Sequence, residues 1–299
     1  MSNLKTYLIL FGGVLAISTA AIWVKLADAP ASTMAFYRLF IAAVVLLPFL
    51  LLNKHCINEL KSIQKRQVLQ IAAAGFFLAL HYVLWFESLN FTSTASSTVI
   101  VCLQPLFSLA IERFIVKKRI PPTAMVGCII ALSGCFIIGF GDFQIGGKSL
   151  LGDILAFIAA GIIALYFFIG ENIRKEMSAI TYSTTCYFVS AIILVVYILI
   201  KKDPFVGYGQ ITWIAFFGIA LIATVGGQFV FNLLLKKLPA SAVTMSIVGE
   251  PIGTCILAYL ILHETITFQQ FVGIVVILLG IMIFFLLPNR KKMKQTMPT

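Results

Sequence analysis

The sequence predicts an all-α polytopic membrane protein: ten transmembrane helices forming two inverted five-helix repeats. Three observations carry this. Of 299 residues, 61% are hydrophobic and 11% charged, with a mean hydropathy of +1.04, whereas soluble domains carry about 25% charged residues. Apolar runs of spanning length recur along the chain. The second half of the sequence also repeats landmarks of the first at an offset of 146 residues.

A spanning helix needs about 20 mostly apolar residues. Windows of that size fall at 6–24, 33–52, 68–87, 94–116, 122–140, 150–169, 181–200, 212–235, 240–262 and 268–287. The runs are continuous and do not alternate, which excludes a β-barrel. Window 1 ends near Ala27-Asp-Ala29, a sequence like a signal-peptide cleavage site. Its long apolar run and weakly basic start are expected to keep it as a helix. Window 2 contains Arg38. Window 3 contains His81, Tyr82 and Trp85 and closes on Glu87. Windows 4 and 9 have internal prolines, Pro105 and Pro251. Window 8 carries Gln228 and Asn232, four residues apart and so on one helical face. Windows 5 and 10 each carry glycines seven residues apart, Gly127/Gly134 and Gly273/Gly280, suited to close helix packing. The chain divides into repeats at 1–141 and 150–288, followed by a basic tail at 289–299.

The net charge of +11 raises nucleic acid as a partner, but its distribution excludes that reading. If all ten windows span, 17 of the 22 Lys and Arg fall on one side and four on the other, with Arg38 inside window 2. The positive-inside rule makes the richer side cytoplasmic and puts both termini there. The expected location is the cytoplasmic (inner) membrane of a prokaryote. Six cysteines form no CxxC pair, and five lie in the windows, so neither a disulfide framework nor a metal site is expected. No cofactor is expected.

At the offset of 146, Leu89 falls on Leu235, Thr98 on Thr244, Pro105 on Pro251, Gly127 on Gly273 and Gly134 on Gly280. Gln104 falls on Glu250. Windows 1–2 match 6–7 only in length and hydropathy. Five helices per repeat is odd, so the second repeat starts on the opposite face of the bilayer. The halves are therefore inverted copies, as in many secondary transporters, whose substrates bind near the midplane where the repeats meet. Gln104 and Glu250 both lie about ten residues, or roughly 15 Å, into their windows. That is mid-bilayer from either side.

The stretches Ala35-Phe-Tyr-Arg38, Leu84-Trp-Phe-Glu-Ser-Leu89, Ala95-Ser-Ser-Thr-Val99 with Gln104-Pro105, Leu238-Pro-Ala-Ser241, Gly249-Glu-Pro251, His263-Glu264 and the pair Gly273/Gly280 stand in a specific order and spacing. In these the chain resembles the drug/metabolite transporter superfamily, in its EamA-type family of paired five-helix repeats. The resemblance spans nearly the whole chain. It implies ten helices, a cavity between the halves and export of small metabolites or drugs. One departure is Lys117-Lys118, at a turn where similar proteins often carry Gly-Glu.

An ionisable group at mid-membrane is costly and is a functional candidate by default. Glu250 reads as a proton or substrate-amine site, or as a structural carboxylate bonded to Thr254 or Ser246. Pro251 cannot donate a backbone hydrogen bond, and both prolines are hinge candidates. Gln104 reads as cavity lining or a helix–helix hydrogen bond. Arg38 is expected to pair with Glu87, as a gate or a fixed tie. His81 reads as a proton shuttle or a hydrogen-bonded core histidine. Tyr82, Trp85, Trp23, Tyr37, Tyr166 and Phe231 are candidates for an aromatic lining. Gln228 and Asn232 suggest an inner vestibule or interhelical bonding. Glu112 and Arg113 read as side chains snorkelling to the surface.

The stretch Gly141-Asp-Phe-Gln-Ile-Gly-Gly-Lys-Ser149 resembles a phosphate loop, but Asp142 stands where the first glycine is needed. Transport is then passive, exchange-driven or ion-coupled. The expected function is a secondary or facilitative transporter exporting small amphiphilic metabolites, such as amino acids or drugs, by alternating access. The expected partners are a small-molecule substrate, membrane lipid and, in a coupled mechanism, protons. Monomer and homodimer both stand open. The alternative is a lipid flippase or scramblase. Three scattered histidines offer no converging catalytic group, so an enzyme is not expected.

Overall fold

The computed structural model describes residues 3–139, 147–262 and 266–286. The phosphate-loop-like stretch falls outside them up to residue 146, as do His263-Glu264 and the basic tail. Among the described residues, ten helices are long and apolar enough to cross a membrane. They are α1 (Leu4–Leu26), α2 (Ala31–Leu52), α3 (Lys65–Ser88), α4 (Ser96–Ile115), α5 (Pro122–Gly139), α6 (Lys148–Ile173), α7 (Ala179–Lys201), α8 (Gln210–Leu234), α9 (Ala240–Ile261) and α10 (Phe268–Leu286). Helix is the economical answer to such runs, because every backbone polar group is satisfied within the segment. Sequence windows do not anticipate a short helix, Lys54–Lys61, between α2 and α3. It is too short and polar to register as a span.

The two halves are antiparallel copies. Gly127 of α5 lies on the backbone of Gly280 in α10, and Gly134 on that of Gly273. A Cβ at either α5 glycine would come within 2.7 Å of α10 backbone atoms. The glycine pairs thus fit face to face, each meeting the other pair's opposite end.

Helices α2 and α7 are likewise antiparallel, and each is tied at its start by the segment following the other. Ser32, near the start of α2, donates to Asp203 beyond the end of α7, and Thr33 donates to the carbonyl of Pro204 at 3.0 Å. At the opposite face, Glu59 accepts from the backbone N–H of Ser178 at 2.8 Å and from the Thr181 hydroxyl. Burial alone would raise the Glu59 carboxyl. The bonds from Thr181 and Ser178 outweigh it, with His55 adding to them, and hold it below its ordinary value. Ser32 and Ser178 are 146 residues apart. The repeat therefore extends to helices whose apolar sequences show little likeness.

Two helices break inside the membrane at equivalent places. The first half of α4 ends at Val101 and the second begins at Gln104; in α9 the corresponding residues are Ile247 and Glu250. Pro105 and Pro251 each sit second in the new half-helix, where a missing N–H costs nothing. Three-residue bonds close both breaks, Leu103 N–H to the Ile100 carbonyl at 3.0 Å and Gly249 N–H to that of Ser246 at 3.0 Å. The two prolines read from sequence as hinge candidates stand at these breaks. Two stretches widen into π-helix instead, Ile111–Ile115 in α4 and Ile219–Gln228 in α8.

Candidate functional site: a cavity on the repeat axis

Between the two breaks lies a narrow cavity, with about 30 Å³ open to a water-sized molecule. That holds one or two waters. Any metabolite passing here requires the surrounding helices to part. The lining is paired by the repeat: Ile17 with Ile163, Tyr82 with Gln228, Val101 with Ile247, and Gln104 with Glu250, every pair 146 residues apart. The cavity therefore sits where the two halves meet.

Arg38 is only 1% exposed. Its Nε donates to the Thr224 hydroxyl at 3.0 Å, and its guanidinium carbon lies 4.3 Å from the centre of the Tyr82 ring. A cation over an aromatic face is favourable, more so when desolvated. Thr224 in turn donates to the Ile219 carbonyl five residues back, at 2.9 Å. The wide π turn thus sets the group that aims Arg38. His81 meets the Ala159 carbonyl through Nδ1 at 3.0 Å. A carbonyl only accepts, so Nδ1 carries the hydrogen, and Nε2 of the neutral ring is the acceptor. The His81 ring stacks on Trp85 at 6.0 Å between centroids.

Three buried polar atoms on this lining have no hydrogen-bond partner among the described residues: Arg38 Nη1, Trp85 Nε1 and Gln228 Nε2. All three are donors. Leaving a buried donor unmet costs about 1–3 kcal/mol. The second repeat contributes the carboxylate, Glu250. Its alternative role as a carboxylate held by neighbouring hydroxyls is not what the fold builds. Thr254 donates to the Ser18 carbonyl at 3.1 Å, and Ser246 to that of Val243 at 2.6 Å.

Seven of the nine sequence candidates thus line one cavity: Arg38, His81, Tyr82, Trp85, Gln104, Gln228 and Glu250. Glu87 and Asn232 do not, and the expected Arg38–Glu87 pair is absent among the described residues. Glu87 sits at the far end of α3, where Tyr197 donates to it at 2.8 Å and Lys201 pairs with it at 3.2 Å, both from α7. Depth in the membrane suggested the Arg38–Glu87 pair; the direction each side chain leaves its helix undoes it. Asn232 is a turn beyond Gln228, where the same face of α8 meets Tyr166, which donates to its Oδ1 at 2.9 Å, and Ser183, which accepts from its Nδ2 at 3.0 Å. It bonds helices together and does not form a vestibule.

Glu112 is also no snorkelling side chain. It is 6% exposed, pairs with Lys118 at 3.1 Å and accepts from the Ser241 backbone N–H of the other repeat at 3.3 Å. Thr224 escaped sequence reading, although it stands four residues before Gln228. Without Arg38 placed against α8, a threonine in an apolar helix carries no signal.

Ten spanning helices, antiparallel halves, paired mid-membrane breaks and a cavity on the axis between them define a membrane transporter of the inverted-repeat class. The profile of the EamA-like transporter family matches this chain twice, over residues 4–140 and 150–286. The chain belongs to that family, within the drug/metabolite transporters. It is 26% identical over 227 residues to the uncharacterized transporter YwfM of Bacillus subtilis, covering 73% of this chain and 74% of that one. With the uncharacterized transporter YoaV of the same organism it shares 24% over 288 residues, 92% and 97% of the two chains. An inner membrane transporter of Escherichia coli, YhbE, is 31% identical over 134 residues, 41% of each. A crystal structure with 17% sequence identity superposes with a TM-score of 0.80 over 97% of this chain and 100% of the other, which shows the fold.

Proposed function

We propose that the chain is a secondary or facilitative transporter that exports small amphiphilic metabolites, amino acids among them, by alternating access. The observation that carries this is the chemistry of the cavity. Arg38 Nη1 and Trp85 Nε1 of the first repeat and Gln228 Nε2 of the second offer unmet donors, and Glu250 of the second repeat lines the same cavity. A molecule with a carboxylate and an amine or hydroxyl answers both. The free space is too small for such a molecule as the helices stand, so loading and release follow movement at the paired breaks. Glu250 is the group to exchange a proton or hold the substrate amine. Both termini face the cytoplasm, in keeping with the basic residues on that side, and the chain resides in a prokaryotic inner membrane.

The second reading, lipid handling, draws on a separate feature. An apolar groove of about 310 Å³ runs between α1, α9 and α10, past Gly249 and Gly253 beside the α9 break. The two readings separate in one reconstitution. Labelled amino acids should enter inverted vesicles bearing the protein, and lipid probes should stay on their leaflet. Scrambling without solute uptake would exchange the readings. A thermal-shift screen of small metabolites identifies the substrate, since a ligand binding only the native state raises its melting temperature.

A further inference from the structure

One corner of the first repeat departs from its counterpart in the second. Lys117 and Lys118 correspond, at the offset of 146, to His263 and Glu264. Basic residues replace an acidic one, and Arg113 and Arg119 flank them. Lys118 is committed to Glu112 at 3.1 Å. Lys117 adopts a left-handed backbone conformation, φ 57°, which turns the chain from α4 toward α5. The arginines are left on either side of a surface pocket of about 430 Å³, whose remaining walls are Ile120 and Met125. Neither guanidinium has an acidic partner among the described residues, and both are exposed. The surface beside the pocket is hydrocarbon: Phe114 is 77% exposed and Ile115 62%. These side chains end a spanning helix, so the pocket stands at the membrane boundary.

We propose that this pocket between the end of α4 and the start of α5 binds the headgroup of an anionic phospholipid. Arg113 and Arg119 hold the phosphate, which a planar guanidinium can grip with two parallel bonds. Ile120 and Met125 carry the apolar root of the lipid, and its chains run down past Phe114 and Ile115. Positive charge, an apolar floor and adjoining lipid-facing surface occur together here, and a soluble anion would need only the first. Basic pockets between membrane helices are a recognised way to hold such headgroups. The proposal is independent of what the central cavity carries.

The test uses the full chain in nanodiscs of phosphatidylcholine, with phosphatidylglycerol added in steps. Native mass spectrometry reads retained lipid, and thermal unfolding reads stabilisation. Removing both charges with Arg113→Gln and Arg119→Gln should weaken phosphatidylglycerol binding by about thirtyfold. It should also abolish the stabilisation, leaving the melting temperature in pure phosphatidylcholine unchanged. Lys65→Gln with Arg66→Gln removes equal charge at the start of α3 and should retain binding. An equal loss in both pairs would reduce the effect to general surface charge and overturn the site. So would full retention in the Arg113/Arg119 pair. Inorganic phosphate that stabilises the protein in phosphatidylcholine as well as phosphatidylglycerol does would overturn the lipid assignment. If the glutamine pair is recovered poorly, Arg113→Lys with Arg119→Lys reads the same question: it should bind phosphatidylglycerol more weakly, and unchanged binding overturns the proposal.

Discussion

Glu250 occupies the first position of a half-helix at mid-span, and its repeat partner is Gln104. Glutamine is close in shape to a protonated glutamate. A site that needed only a hydrogen-bonding side chain could use Gln in both halves, so the retained acid points to use of its charge. Glu250→Gln is expected to fold and insert normally, to lose most transport, and to flatten any pH dependence of transport. Unchanged uptake at every pH would remove Glu250 from the mechanism. Thr224 offers a sharper test of geometry. Thr224→Val preserves shape but leaves Arg38 Nε without its acceptor. The expected cost is about 1–3 kcal/mol, read as a lower melting temperature, with uptake reduced as Arg38 loses its aim. Glu87→Gln should be milder. Its partner Lys201 is 45% exposed, and such pairs are worth about 0–1 kcal/mol. A double-mutant cycle should couple Glu87 to Lys201 and leave it uncoupled from Arg38.

At the scale of elements, the antiparallel pairs α5–α10 and α2–α7 hold the halves together by different means. The first depends on missing side chains. Gly134→Leu places atoms where α10 backbone already lies and should cost at least the roughly 1–3 kcal/mol typical of overpacking. Gly12→Ala, with open space around the new methyl, should leave folded yield unchanged. The α2–α7 pair depends on polar ties at each end. The Glu59 carboxyl ionises below its ordinary range in the folded protein, so its contribution is complete above the unfolded value of about 4.3 and fades as pH falls through the lower folded value. Thermal stability should therefore drop on acidification in that window, and Glu59→Gln should show a smaller drop there. An identical acid profile in the variant would mean the tie contributes nothing.

For the whole molecule, the decisive expectation is sidedness. A cysteine at Lys61 should be shielded from an impermeant reagent in intact cells, and one at Lys202 should react; both positions are exposed. The reverse pattern would invert the direction argued for transport. The two polar ties of α2 and α7 are closed together in this structure, and the cavity between the halves is nearly filled. In the proposed mechanism, movement falls at the breaks of α4 and α9, where the regular four-residue backbone bonding gives way to three-residue bonds.

The sequence by itself determined the ten spanning helices, the repeat and the position of each polar residue along its span. Apolar length and a shared proline are local properties, and the bilayer turns position along a run into depth. So Gln104 and Glu250 could be placed opposite each other before any coordinates, and seven of nine candidates meet in one cavity. What only the tertiary structure decided is azimuth: which way each side chain leaves its helix and what stands there. Arg38 and Glu87 lie in neighbouring helices yet face different neighbours, one toward the π turn of α8 and the other toward α7. Gln228 and Asn232 share a face yet differ in role, because the neighbouring helices change within one turn. The π stretches and the glycine contacts across α5 and α10 belong to the same class. They arise where one helix presses on another, and no single run of sequence contains both sides of that contact.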